Sequence, residues 1–197
     1  MIETDELLRE FNHRVNNNFQ IVVSLMNLKK RQLPAALQDD IRFIEEHVQS
    51  MAVAYRLIYA SGRLLEVSAR DLITEVVLGL RLIAKLAPER LSLDVVALTQ
   101  MLNLDQAIAL GLYLAAALPP YLDQARHGDG QVVVMASSIA EHLSLTISGD
   151  WHNPVPMDVL RERLLVAYVT QLGARQEFSD VASRHKISFS IAPLQTP

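Results

Sequence analysis

Apolar residues recur at steps of three and four through Leu8, Phe11, Val15, Phe19, Val22 and Met26, one stripe on a helix of 3.6 residues per turn. The pattern predicts a first helix from Thr4 or Asp5, either of which can cap it, to about Gln32, with Pro34 stopping its continuation. After a short turn, Leu37, Ile41, Ile44, Val48, Met51, Tyr55 and Ile58 alternate steps of four and three, the seam of a second long helix that Gly62 ends. Two long helices joined by a short turn lie antiparallel, and a single hairpin has too little partner surface to bury both stripes. A two-fold homodimer closing a four-helix bundle is the economical expectation.

After Gly62 the pattern changes. Ser68 with Asp71 three residues on opens a third helix that runs to about Leu86 and is closed by Pro88. Leu91, Leu93 and Val95 alternate with polar residues as in a strand. Asn103 caps a fourth helix, Leu104 to about Leu118, apolar nearly all round and therefore buried. Gln131 to Ser137 and His142 to Ser148 read as an antiparallel strand pair, with His127 in the turn before them. A helix from about Met157 to Leu172 ends at Gly173, and Arg175 to Phe178 and Lys186 to Ile191 read as two closing strands. The order predicts an α+β chain: a helical hairpin domain over residues 1–64, then a small two-layer α/β sandwich over 65–197.

Composition narrows the classes. Half of the 197 residues are apolar and a fifth charged, enough for one ordinary domain and a smaller module. The longest nearly uncharged run, Ala107 to Leu122, holds Pro119-Pro120 and is too short to cross a bilayer. The acidic opening Glu3, Asp5 and Glu6 does not read as a signal peptide, so the expectation is a cytoplasmic chain with no membrane partner. The absence of cysteine excludes disulfides and thiolate chemistry. A net charge of −4 gives no electrostatic reason to expect nucleic acid, and Lys29, Lys30 and Arg31 suit the C-terminal end of a helix. His47, His127, His142, His152 and His185 lack metal-ligand spacing. Trp151 reads as an anchor of the second domain, and Asp39, Asp40, Glu45 and Glu46 as a solvated face of the second helix.

One histidine stands apart from the apolar stripe. His13 lies about 160° from it around the first helix, beside Glu6, Arg9, Glu10, Asn17, Gln20 and Ser24. Asn17 is one turn ahead of it and Arg9 one turn behind. By spacing alone it is a solvated surface histidine.

The residues around it carry a resemblance. Leu7-Leu8-Arg9-Glu10-Phe11-Asn12-His13-Arg14-Val15-Asn16-Asn17-Asn18-Phe19-Gln20 resembles the dimerisation and phosphoacceptor helix of the HisKA_2 and HWE-type bacterial sensor histidine kinases. The likeness continues through Arg56-Leu57-Ile58-Tyr59-Ala60-Ser61 and into the α/β part, which looks like a reduced kinase ATP-binding domain. It implies that His13 takes the phosphoryl group. In such kinases the helix resembling Gly111 to Pro120 would carry a Glu and an Asn for magnesium and nucleotide; here Ala116 and Pro120 stand there. The adenine-binding Asp falls on Gly149, with Asp150 one residue late, and no glycine lies between Asp150 and Leu172 where a phosphate loop would need it.

A phosphoacceptor histidine without an ATP site resembles the dimeric histidine phosphotransferases of multistep phosphorelays. Such a protein shuttles phosphoryl groups between response-regulator receiver domains, needs no cofactor of its own and is no autonomous ATP-dependent kinase. The receiver supplies Mg²⁺. The resemblance gives His13 the bond to phosphorus, Asn17 and Glu10 the orientation of its ring, and Arg14 a place near the phosphoryl oxygens. The alternative is a pseudokinase module that regulates a receiver or kinase without phosphotransfer; a working kinase with an altered nucleotide site ranks below it.

Overall fold

Two helices, α1 (Ile2–Gln32) and α2 (Ala35–Ala60), form the hairpin. The computed structural model describes residues 2–60, 66–128, 130–151, 153–179 and 183–191, with the backbone only at 2–13, 16, 35, 36, 59, 60, 178 and 179. Gly62 and His152 lie outside the described residues. The helices run antiparallel: Lys30 Nζ donates to Glu45 Oε2 at 2.9 Å, and the Phe19 and Tyr55 rings lie 5.6 Å apart. Val15, Phe19 and Met26 of the predicted stripe are half-buried, whereas Val22 is exposed together with Ile21, Leu25 and Leu28.

The second helix departs from its predicted seam. Leu37 and Ile44 are exposed, Ile41, Val48, Met51 and Tyr55 half-buried, and the buried positions include Glu46, Ser50, Val53, Ala54 and Ile58. The reason is a second neighbour: α2 packs along α4 as extensively as along α1. A Cβ at Gly111 would lie 3.3 Å from the Ser50 carbonyl oxygen, so glycine there lets the two helix backbones approach closely.

The rest of the chain builds the sandwich. A short β1 (Glu66–Ser68) leads into α3 (Ala69–Ala84), where Ser68 Oγ accepts from the Asp71 N–H at 3.3 Å as the capping pattern requires. This helix stops two residues short of Leu86, because Lys85 takes the left-handed conformation (φ 55°) and its N–H turns back to Arg81 and Leu82 carbonyls. Then come β2 (Leu91–Asp94), β3 (Met101–Asn103) and α4 (Leu104–Ala117), with Asn103 Oδ1 accepting from the Gln106 N–H at 2.8 Å. The strands β1 and β3 pair antiparallel, a small sheet the alternation did not announce.

A further helix, α5 (Pro119–His127), follows at once, so His127 ends a helix rather than occupying a turn. Proline explains both events. Just past α4 it ends the ladder, and in the first turn of α5 its missing N–H has no partner to lose. Strands β4 (Val132–Ile139) and β5 (His142–Gly149), helix α6 (Val159–Gln171) and strands β6 (Arg175–Ser179) and β7 (Arg184–Ser190) complete the fold. The five-stranded sheet has the order β2-β4-β5-β7-β6, parallel at β2–β4 and antiparallel elsewhere. Its inner face, Val132, Val134, Leu143, Leu145, Ile147, Ile187 and Phe189, packs with Leu110, Leu114, Leu118, Tyr121 and Leu122 in one core. The chain is thus α+β, a helical hairpin joined to a two-layer sandwich.

Candidate functional site

Position 13 sits on the regular helical backbone of α1. The side chains of Glu10 and His13 lie outside the described residues. Arg14 and Asn17 are both exposed, as are Asn18, Gln20 and Ser24 further along. The pairs Lys30–Glu45 and Phe19–Tyr55 set the register of the hairpin and put position 13 level with the end of α2, beside the junction with the sandwich.

A second cluster lies elsewhere, at the C-terminal end of α4. Ala116 is fully buried there and carries no oxygen side chain. Arg161, at the start of α6, donates through Nη1 to the carbonyls of Ala115 at 3.1 Å and Ala116 at 3.4 Å, and through Nη2 to Glu46 Oε2 at 2.8 Å. Its guanidinium carbon sits 4.9 Å from the centre of the Phe43 ring. Arg42 Nε lies 3.4 Å from Glu46 Oε1, and the same guanidinium makes a two-pronged contact with Asp123 of α5, Nη1 to Oδ1 at 3.0 Å and Nη2 to Oδ2. Asp158 completes the chain of charges, its Oδ2 3.5 Å from Arg161 Nε. A cleft of about 650 Å³ opens here between α2, α5 and α6, lined by Asp39, Arg42, Phe43, Asp123, Asp158 and Arg161 among others.

Burial pushes the Glu46 carboxyl above its ordinary range against the pull of Arg161 and Arg42. Next to it, His47 is buried with its ring 4.4 Å from Phe43 and 6.3 Å from Tyr168. Its Nδ1 lies 2.8 Å from the Phe43 carbonyl oxygen, which makes Nδ1 the protonated nitrogen, and burial with the nearby Arg161 charge holds its pKa below the usual value.

These contacts correct the reading of the second helix. Asp39 and Asp40 are exposed as expected, but Glu45 and Glu46 are buried, because Lys30 pairs with the first and two arginines with the second. Arg42, Asp123 and Arg161 were not singled out from sequence. The usable signal was Pro119-Pro120, which removes the N–H groups that Ala115 and Ala116 would otherwise meet.

At the end of β5, Asp150 Oδ1 accepts from the Gln131 N–H at 2.7 Å. The Trp151 indole lies so close over Gly149 and Gly130 that a Cβ at either would run into it, and Tyr121 stands 6.1 Å away. Trp151 is therefore the anchor it was expected to be, packed on the core. Among the described residues no three His, Asp or Glu side chains gather as a metal site, and no helix is long and apolar enough to cross a membrane.

Comparison with known proteins gives these sites a context. Residues 10–84 match the HisKA_2 family, described as histidine kinase. The histidine kinase domain of the Erythrobacter litoralis blue-light activated histidine kinase superposes with a TM-score of 0.66 at 18% identity, over 97% of this chain and 96% of that one. A longer form of that Erythrobacter litoralis kinase gives a TM-score of 0.66 at 15% identity over 91% of this chain, which spans 60% of its length. At these identities the likeness is one of fold. No curated protein matches the chain in sequence. Residues 10–84 thus match the histidine kinase family model, and the chain as a whole shares the fold of a histidine kinase domain.

Proposed function

We propose that the protein is a histidine phosphotransferase of a multistep phosphorelay, in which His13 takes a phosphoryl group from one response-regulator receiver domain and hands it to another without ATP. The observation that carries this reading is a contrast within the chain. The segment around His13 matches the kinase family, whereas the α4 end that would serve a nucleotide is filled by the chain's own arginine.

The residues at that end do not fit a magnesium nucleotide. Ala116 and Pro120 have no oxygen to hold Mg²⁺, and the Arg161 guanidinium would face the dication with like charge. Position also argues against direct use. The α4 end meets α2 at Glu46, about 22 Å along the hairpin from the level of position 13, at 1.5 Å per residue.

Phosphotransfer needs less. The donor is an acyl phosphate on the receiver's aspartate. The lone pair of the neutral imidazole forms the N–P bond as the P–O bond breaks and the carboxylate leaves. Asn17 and Glu10 orient the ring and Arg14 screens the phosphoryl oxygens, while Mg²⁺ belongs to the receiver. Residues 1–64 carry the transfer, residues 65–197 support them, and two copies join through the hairpin. The relay operates in the cytoplasm.

Transfer of labelled phosphate from a phosphorylated receiver tests the proposal. His13→Gln should abolish it with folding intact, and Asn17→Ala should slow it. Calorimetry at millimolar ATP with Mg²⁺ should show no saturable heat. Equal label transfer through His13→Gln would sink the phosphotransferase reading, and micromolar nucleotide binding would restore the kinase.

A further inference from the structure

The end of α4 has a hydrogen-bond deficit written into the sequence, and one side chain makes it good. If the helix ran on, the Ala115 and Ala116 carbonyls would accept from the N–H groups of residues 119 and 120. Both residues are proline and have none. Ala115 and Ala116 are fully buried, so water offers no substitute, and a buried carbonyl without a donor is destabilising.

Arg161 supplies the donors from α6. Its planar fork spans three elements: the helix that bears it, the two carbonyls of α4 and the Glu46 carboxylate of α2. Each environment calls for a cation. The carbonyl end of a helix carries partial negative charge, and Glu46, 1% exposed, would be an isolated buried anion without its partners. Lysine would replace it only in part, since its three donors radiate from one nitrogen and lack the breadth and fixed planar fork with which the guanidinium spans a carboxylate and two carbonyls. Arg42 extends the same chain of alternating charges to Asp123 on α5.

We propose that Arg161 is a positioning residue that latches the C-terminal sandwich onto the hairpin. The proline pair leaves two carbonyls for it to hold, and Glu46 is the hairpin's side of the latch. The latch parks the α4 end about four turns from the level of His13. The latch stands or falls without reference to phosphate, so its test is separate from the test of phosphotransfer.

The experiment reads the distance between hairpin and sandwich. The chain has no cysteine, so spin labels enter at Gln32→Cys and Ser137→Cys, both exposed, with no native thiol to remove. Dilution with unlabelled chain confines the measured pairs to one molecule. Pulsed electron resonance should give one narrow distance distribution for the otherwise unaltered chain. Arg161→Met should add a second, longer component, and Glu46→Gln and Arg161→Lys weaker versions of it.

The decisive variant restores the missing donors. With Pro119→Ala and Pro120→Ala, the two carbonyls recover backbone partners, and the longer component caused by Arg161→Met should shrink at least about tenfold, the effect of a single buried carbonyl regaining a donor. An Arg161→Met distribution identical to the unaltered chain overturns the proposal. So does a longer component that ignores the proline replacements. If Arg161→Met does not fold, Glu46→Gln and Arg161→Lys decide in its place, and both remaining narrow would equally refute the latch.

Discussion

Leu25→Glu should dissolve the dimer proposed above. Ile21, Leu25 and Leu28 stand 57%, 60% and 57% exposed on α1, and Leu37 and Ile44 48% exposed on α2. Positions 21, 25 and 28 follow one another by four and three, so they form a continuous stripe along one side of the helix. Full burial of a Leu or Ile side chain contributes about 1.5–3 kcal/mol, so covering the half still open contributes about 1 kcal/mol for each. Five such residues on each of two chains supply about 10 kcal/mol before the association penalty of about 4–15 kcal/mol. The balance is narrow enough for one charge to reverse it. Leu25→Glu removes about 1 kcal/mol of burial per chain and places two carboxylates in a desolvated seam, for a total of at least about 3 kcal/mol per dimer. The dissociation constant should rise at least about 100-fold. Sedimentation velocity over a concentration series measures it, with Val166→Glu on the exposed side of α6 as the control that leaves the dimer intact. A chain that sediments as a monomer at micromolar concentration, or a Leu25→Glu dimer as tight as the unaltered one, would refute the reasoning.

Two stability predictions test the interior. Tyr113 is buried and its hydroxyl has no hydrogen-bond partner among the described residues, so Tyr113→Phe should stabilise the fold by about 1 kcal/mol and raise Tm by about 2–4 °C. A fall of similar size in calorimetry would mean that the hydroxyl is paired. The His47 ring is faced by Phe43 from α2 and by Tyr168 and Arg161 from α6, and its folded pKa lies below the ordinary 6.5. The native state then binds fewer protons than the unfolded chain just below pH 6.5, so stability should be lost as pH falls through that value. Glu46 acts in the opposite sense: its raised pKa makes the native state the better proton binder above pH 4.5, so its part of the stability declines as pH rises. Comparing urea midpoints of the unaltered chain and His47→Gln across this range isolates the histidine, and equal slopes for the two would refute its role.

What could be read from sequence was local. The caps at Ser68 and Asn103, the apolar repeat of the hairpin and the alternation of the strands each depend on neighbours within a few residues, and the elements form where those patterns place them. The motif around His13 is equally local, and the family match falls on the same stretch. Helix α5 was missed because Pro119-Pro120 reads as a break, although the same residues can open a helix. The face of α2 that would be buried depended on α4, a helix folded from residues some fifty positions later. The same distance hid the burial of Glu45 and Glu46: an acidic residue reads as solvated until a cation from elsewhere meets it, and Arg161 joins Glu46 across more than a hundred residues of chain. The sequence alone determined that the carbonyls of Ala115 and Ala116 would lack backbone donors. Only the tertiary structure decided that Arg161 would supply them, because a hydrogen-bond deficit follows from covalent connectivity, whereas its remedy requires two distant segments to meet.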